Sequence, residues 1–152
     1  MQFRSMLPTD LPTVAALSKA ADPYGWTLRN FQDAIAAGYL MTLVCDEEGS
    51  VVGYSVVTQV FDEAELLEIA VDPAHQGKGY GKALLSHTLE LTKRRSALKM
   101  HLEVRVGNSR ARAMYEKAGF VQVGLRKGYY PCDTGREDAV LMCLDRSAEQ
   151  SD

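Results

Sequence analysis

The chain has 152 residues, of which 46% are hydrophobic and 24% charged, with a net charge of −3 and a sequence pI of about 5.6. That balance fits one folded domain with a real core, expected over 1–152 with a frayed polar tail from Ser147. It excludes a basic nucleic-acid-binding face, and no apolar run approaches the ~20 residues of a membrane span. Met1-Gln2-Phe3-Arg4 does not read as a secretory leader. Cys45, Cys132 and Cys143 are an odd set without CxxC spacing, so neither a disulfide framework nor a zinc ribbon is expected, and the setting reads as reducing and cytoplasmic.

In chain order, Gln2–Met6 reads as a short strand. Thr9 is placed to cap a helix with Leu11, Val14, Ala15 and Leu17 on one face, broken at Asp22-Pro23-Tyr24-Gly25. Thr27 is placed to cap a second helix carrying Leu28, Phe31, Ala34 and Ile35, stopped at Gly38. Tyr39–Cys45, Val51–Val60 and Glu65–Val71 read as three consecutive antiparallel strands, the first two joined by a turn at Glu47-Glu48-Gly49-Ser50. A glycine-rich loop follows, then a helix to about Arg95. Leu98–Val106 alternates apolar and polar residues, as a strand with one buried face does. Asn108 opens a helix ending at Gly119, and Phe120–Leu125 and Ala139–Leu144 read as the last strands, with a loop at Gly128–Arg136 between them. The order β-α-α-β-β-β-α-β-α-β-β implies an α/β (α+β) fold. Its mixed, mostly antiparallel sheet of about seven strands holds one parallel splayed pair, made by the strand–helix–strand crossover, with four helices flanking it.

The loop Gln76-Gly77-Lys78-Gly79-Tyr80-Gly81 sits between a strand and a helix. That arrangement aims backbone N–H groups and a helix N-terminus at one spot, which suits a phosphate or pyrophosphate. The plain alternative is a tight strand-to-helix connection. No Gly-Lys-Ser/Thr follows at nucleotide-hydrolase spacing, and the third glycine of a dinucleotide fingerprint is missing. On spacing alone, Glu103 is either a base on the polar face of its strand or a member of a surface ion-pair ladder with Lys99 or Arg105. Asn108 and Tyr115, seven residues apart, share a helix face. Alone, they are an N-cap and a packed aromatic. His75, His87 and His101 are dispersed, so no metal site is expected.

The spacing Gln76-x-x-Gly79-x-Gly81 resembles the signature of the GNAT superfamily of N-acetyltransferases, and the element order resembles it over nearly the whole chain. Ile69-Ala70-Val71-Asp72-Pro73, Leu102-Glu103-Val104-Arg105, Asn108-Ser109 and Ala113-Met114-Tyr115-Glu116 are similar to its bacterial ribosomal-protein-alanine N-acetyltransferases. So is Tyr129-Tyr130-Pro131 with Gly135-Arg136-Glu137-Asp138-Ala139, the most specific of these pieces.

The resemblance implies acetyl-coenzyme A as co-substrate, no metal, and direct transfer to an amine in a ternary complex. It places the pyrophosphate on Gln76, Gly77, Lys78, Gly79, Tyr80 and Gly81, and the pantetheine arm along Ile69, Ala70 and Val71 in a strand opened by a bulge, with Asn108 as a further coenzyme contact. It makes Glu103 the base and Tyr115 the acid. Glu68 shares the base role or binds a basic acceptor side chain. Trp26, Tyr129 and Tyr130 are walls for the acceptor, although Tyr24-Gly25-Trp26 departs from the family pattern. The implied acceptor is the N-terminal segment of a small-subunit ribosomal protein, at its N-terminal alanine. A monomer, or at most a weak dimer, is expected, with neither nucleic acid nor membrane as partner. The alternatives are transfer to a lysine or small amine, and a coenzyme-A-binding module without turnover.

Overall fold

A computed structural model describes residues 1–150. Seven strands form one sheet: β1 (Gln2–Ser5), β2 (Leu40–Cys45), β3 (Val51–Val60), β4 (Glu63–Val71), β5 (Lys99–Arg105), β6 (Val121–Cys132) and β7 (Gly135–Asp145), in the spatial order β1-β2-β3-β4-β5-β7-β6. Four α-helices accompany them among the described residues: α1 (Leu11–Ala21), α2 (Leu28–Ala36), α3 (Tyr80–Arg94) and α4 (Ser109–Lys117). The expected seven-stranded mixed sheet with four helices is therefore present. Its parallel pair is β4 with β5, in register from Glu63↔Lys99 to Leu66↔Leu102. Among the described residues no helix is long and apolar enough to cross a membrane.

The chain divides into two compact units. The first comprises Met1–Thr58 and Leu67–Leu91. Its larger core joins Leu11, Val14 and Leu17 of α1, Phe31 and Ala34 of α2, and Met41, Leu43, Tyr54 and Val56 of the strands. A smaller cluster of Val44, Val52 and Leu84 forms against α3. Neighbouring Leu43 and Val44 join different clusters, as side chains on opposite faces of a strand do. Leu67 and Ala70 pack against the larger cluster and Ile69 against the smaller. Residues three apart on a regular strand face opposite ways, so alternation is interrupted within Leu67–Ala70, as at a bulge.

Local chemistry fixes the ends of these elements. The expected cap on α2 is present: Asn30 N–H donates to Thr27 Oγ1 at 3.3 Å, and Thr27 N–H donates to Asn30 Oδ1 at 3.0 Å. Thr9 does not cap α1. It lies inside a 3-10 turn, Pro8–Asp10, whose Asp10 Oδ2 accepts Leu7 N–H at 2.8 Å while Arg4 grips the same carboxylate with two nitrogens. The β2–β3 turn is organised by Asp46, whose Oδ1 accepts the amides of Glu48 and Ser50.

The second unit comprises Gln59–Leu66 and the chain from Thr92 onward. Met100, Leu102 and Val104 on β5 are buried, as their alternation predicts. Asn108 caps α4 by accepting Ala111 N–H at 3.2 Å, and the helix stops before Gly119. The loop expected at Gly128–Arg136 is corrected: β6 runs through Cys132 and β7 starts at Gly135, so the segment is the tip of a long hairpin. Two register shifts, at Gln122/Gly124 and Arg126/Tyr130, break the period-2 pattern that would have revealed it. Gly128 in the second bulge has φ +59°, which favours glycine, and its N–H donates to Asp138 Oδ1 at 2.8 Å. Pro131 is tolerated because β6 is an edge strand. Ser147–Gln150 forms a short 3-10 turn, and residues 151 and 152 of the tail expected to fray lie outside the described residues.

Candidate active site

In the first unit, β4 ends at Val71 and Asp72 begins a 3-10 turn, Pro73–His75. Gln76 Nε2 donates to Val71 O at 3.2 Å, folding the loop back on the strand end. Gly77 and Gly79 have φ of +78° and +88°, which L side chains rarely adopt, and a Cβ at Gly79 would meet nothing within 4 Å. The glycine there serves the backbone conformation rather than packing. Gln76 through Gly79 are exposed. The bond from Ala83 N–H to Gly79 O, 3.0 Å, begins the α3 ladder. The amides of Tyr80, Gly81 and Lys82 precede it, in the turn whose N–H groups a helix leaves open at its positive end. An exposed, positively biased rim of backbone donors with Lys78 beside it fits a phosphate-bearing group. Tyr80 and Ile69 pack against the smaller core cluster, which anchors the loop to the sheet.

Glu68, also on β4, is set differently. Its carboxylate accepts the Trp26 N–H, and Asp22 lies near enough to repel it. Burial, then the charge of Asp22, pushes the Glu68 carboxyl up to about 7, while the Trp26 hydrogen bond works in the opposite direction. Tyr54 faces the same place. Its phenol is pushed upward by burial and then by the charge of Glu68, against a hydrogen bond with Ser18. Ser18 Oγ in turn donates to Trp26 O at 2.9 Å, so α1 holds the segment before α2 in place. Trp26 packs edge-on to Phe31 with ring centroids 5.3 Å apart. The sequence-derived Glu68 and Trp26 are thus brought together. Asp22, Ser18 and Tyr54 were missed as a group, because none lies near Glu68 in sequence.

In the second unit, Glu103 is partly buried on β5 and faces β6 residues rather than the Lys99 or Arg105 of the ion-pair alternative. Arg126 Nη2 lies 3.4 Å from Glu103 Oε1. Tyr129 hydrogen-bonds Glu103, and the carboxylate's charge, followed by burial, pushes the phenol upward. The Arg126 guanidinium stacks 5.0 Å from the centroid of the Tyr129 ring. Arg105 turns to Glu137 Oε1 at 3.2 Å, to Pro131 O at 2.7 Å, and to the face of Tyr130 at 4.6 Å. Tyr129 and Tyr130 pack edge-to-face at 4.9 Å, so the two expected acceptor walls adjoin, one on Glu103 and one on Arg105. Arg126 lay unnoticed in a polar run. Tyr115 is buried on α4, edge-on to Phe120 at 5.7 Å, on the helix that Asn108 caps.

In the second unit, a carboxylate beside a phenol and a second phenol on a capped helix suit proton transfer; in the first, the loop's backbone donors suit a phosphate-bearing group. Among the described residues no group of three or more His, Cys, Asp or Glu is arranged to hold a metal ion. Cys132 is half-buried, its Sγ 3.5 Å from Thr134 Oγ1.

Comparison with known proteins bears on the whole chain. It is 36% identical over 140 residues to the [ribosomal protein bS18]-alanine N-acetyltransferase of Escherichia coli strain K12, covering 92% of this chain and 94% of that protein. The protein of the same name from Haemophilus influenzae is 37% identical over 134 residues, covering 88% and 90%. The crystal structure of the ribosomal-protein-S18-alanine N-acetyltransferase from Escherichia coli superposes with a TM-score of 0.91 at 36% identity, covering 96% of this chain and 94% of that one. Ard1 from Thermoplasma volcanium superposes at 0.81 with 28% identity, covering 95% and 96%. Residues 10–120 match the model of the acetyltransferase (GNAT) family, and the chain belongs to that family as an acetyl-coenzyme-A-dependent N-acetyltransferase.

Proposed function

We propose that this protein acetylates the N-terminal alanine of a small-subunit ribosomal protein, with acetyl-coenzyme A as donor. The observation that carries the reading is end-to-end similarity, 36% over 92% of the chain, to an enzyme named for that reaction on bS18. Acetyl-coenzyme A supplies the acetyl group as a thioester. The amides from Gln76 to Gly81 and Lys78 hold its pyrophosphate. The backbone of Ile69, Ala70 and Val71 pairs with its arm, and Asn108 adds a contact from α4. The chain acts as a single N-acetyltransferase domain, a monomer in the cytoplasm.

The acceptor α-amine, with a pKa of about 8, arrives mostly as the ammonium at neutral pH. Glu103 removes that proton directly or through one water. The thiolate that leaves has a pKa of about 8.5, against about 10 for a phenol. Tyr115 donates a proton to that thiolate, so coenzyme A leaves as the free thiol. Trp26, Tyr129 and Tyr130 wall the acceptor's first residues. Glu68 faces the acceptor's basic side chains rather than its reacting amine.

The test is thiol release from acetyl-coenzyme A with a peptide beginning Ala-Arg, beside the same peptide with its N-terminus blocked. Turnover is expected only with the free N-terminus. Equal turnover of the blocked peptide through a lysine overturns the N-terminal assignment. Mass spectrometry of ribosomal proteins after incubation then identifies the acceptor as one modified N-terminus.

A further inference from the structure

We infer that Arg126 is a resident counter-ion of Glu103 which the acceptor's ammonium displaces, while Tyr129 stays and positions the carboxylate. The inference rests on the reading of Glu103 as base and deepens it. Glu103 has two oxygens with about four lone-pair directions, enough for two donors and an incoming third. Arg126 approaches one oxygen at 3.4 Å, beyond the usual length of a charge-assisted hydrogen bond, with its side chain 53% exposed against 25% for Glu103. An exposed pair of that geometry holds only weakly, so another cation can take its place. Arg126 also has a place to remain when displaced, over the face of the Tyr129 ring.

Tyr129 is held more firmly. It lies in the three-residue bulge after Arg126, pinned through Gly128 N–H by Asp138 at 2.8 Å and by the Arg136 guanidinium near Tyr129 O at 3.3 Å. Both clamps come from the Gly135–Ala139 segment of β7. The bulge carries the phenol back onto a carboxylate two strands away, across β7. The other negative charge facing the phenol is Glu65. A free amine thus meets a base already aimed by a neutral donor and guarded by a weak cation. An acceptor without positive charge has nothing to exchange for Arg126.

Steady-state kinetics with acetyl-coenzyme A and an Ala-Arg peptide separate the two roles. Arg126→Met is expected to lower the acceptor KM about two- to five-fold, the factor a surface pair supplies. Arg126→Lys is expected to restore the wild-type KM. The inhibition constant of the N-acetylated peptide, which has no ammonium, is expected to stay the same in Arg126→Met, whereas a purely structural effect would move both constants. Tyr129→Phe, which keeps the ring, is expected to lower kcat about five-fold with the acceptor KM within two-fold. Thermal melts of each variant check that it is folded. An unchanged or raised acceptor KM in Arg126→Met overturns the displacement. If Glu103→Gln still abolishes turnover in that case, the base assignment survives alone, whereas normal turnover by Glu103→Gln removes both.

Discussion

Glu68 and Glu103 are the same side chain on two strands of one sheet, yet their surroundings treat the negative charge in opposite ways. Around Glu68 the protein offers one backbone N–H, a phenol directed to Ser18 and the second carboxylate of Asp22, and the group is pushed up to about 7. Around Glu103 it offers a guanidinium and a phenol O–H, with one edge facing solvent. The first environment makes the ion expensive; the second sets donors around the carboxylate and leaves lone pairs for a visitor. A base that must accept a proton in every turnover and return it to water suits the second environment. The difference teaches that, within one sheet, the neighbours of a carboxylate decide whether it is shut in beside a second acid or set among donors with room for a visitor.

The sharpest test of this contrast is turnover. Glu103→Gln is expected to lower it by about 10²–10⁴-fold, the usual worth of a positioned base, while the melting temperature moves by little, since a surface pair supplies at most ~1 kcal/mol. Thiol release and a thermal melt on the same sample check both halves. If Glu68→Gln removes as much turnover as Glu103→Gln, the base role is shared between them. Tyr115→Phe is expected to lower turnover about 10²-fold while coenzyme affinity, measured by calorimetry, stays near wild type.

Stability reverses the ranking. Glu68 is raised from 4.5 to about 7, so the protonated form favours the folded state. That contribution is complete below about pH 4.5 and is lost as pH rises through 7. Glu68→Gln is therefore expected to be more stable than wild type at pH 8, by at most about 3 kcal/mol, and equal to it near pH 4. Melts at the two pH values measure it, and a constant offset at both would show that Glu68 does not titrate in this range. The smallest effect belongs to Asp22→Asn. Burial is the first cause of the Glu68 shift and Asp22 only the second, so the carboxyl should titrate lower in this variant but still above an ordinary glutamate. Carbon-13 NMR of the side-chain carboxyl follows it. A return to the ordinary value would make Asp22, not burial, the main cause.

The sequence made the local parts of this picture readable. Thr27 and Asn108 cap their helices through bonds to residues three positions on, and β5 alternates without a break, so spacing alone reveals each. The glycine loop is legible for the same reason: positive φ must be met within the loop itself. What was illegible depends on partners remote in sequence. Tyr54 reads as an ordinary apolar strand residue until Glu68 lies across from it, and Arg126 reads as a surface charge until a bulge turns it and Tyr129 toward β5. The tip of the long β6–β7 hairpin reads as a loop in sequence because its register shifts reset the alternation twice, leaving neither half long enough to show a period.

The same irregularity has a consequence for how the chain behaves in concentrated solution. β6 is one border of the sheet, twelve residues long, and exposes Val121, Val123 and Leu125 at 61%, 62% and 45%. A straight border with that composition would invite the strand of another molecule to pair with it and begin an aggregate. The two shifts in register bend the row of donors and acceptors, and Pro131 deletes one donor outright, so no foreign strand can pair along its full length. Substitutions that straighten β6 would therefore show themselves first as precipitation, before any loss of melting temperature.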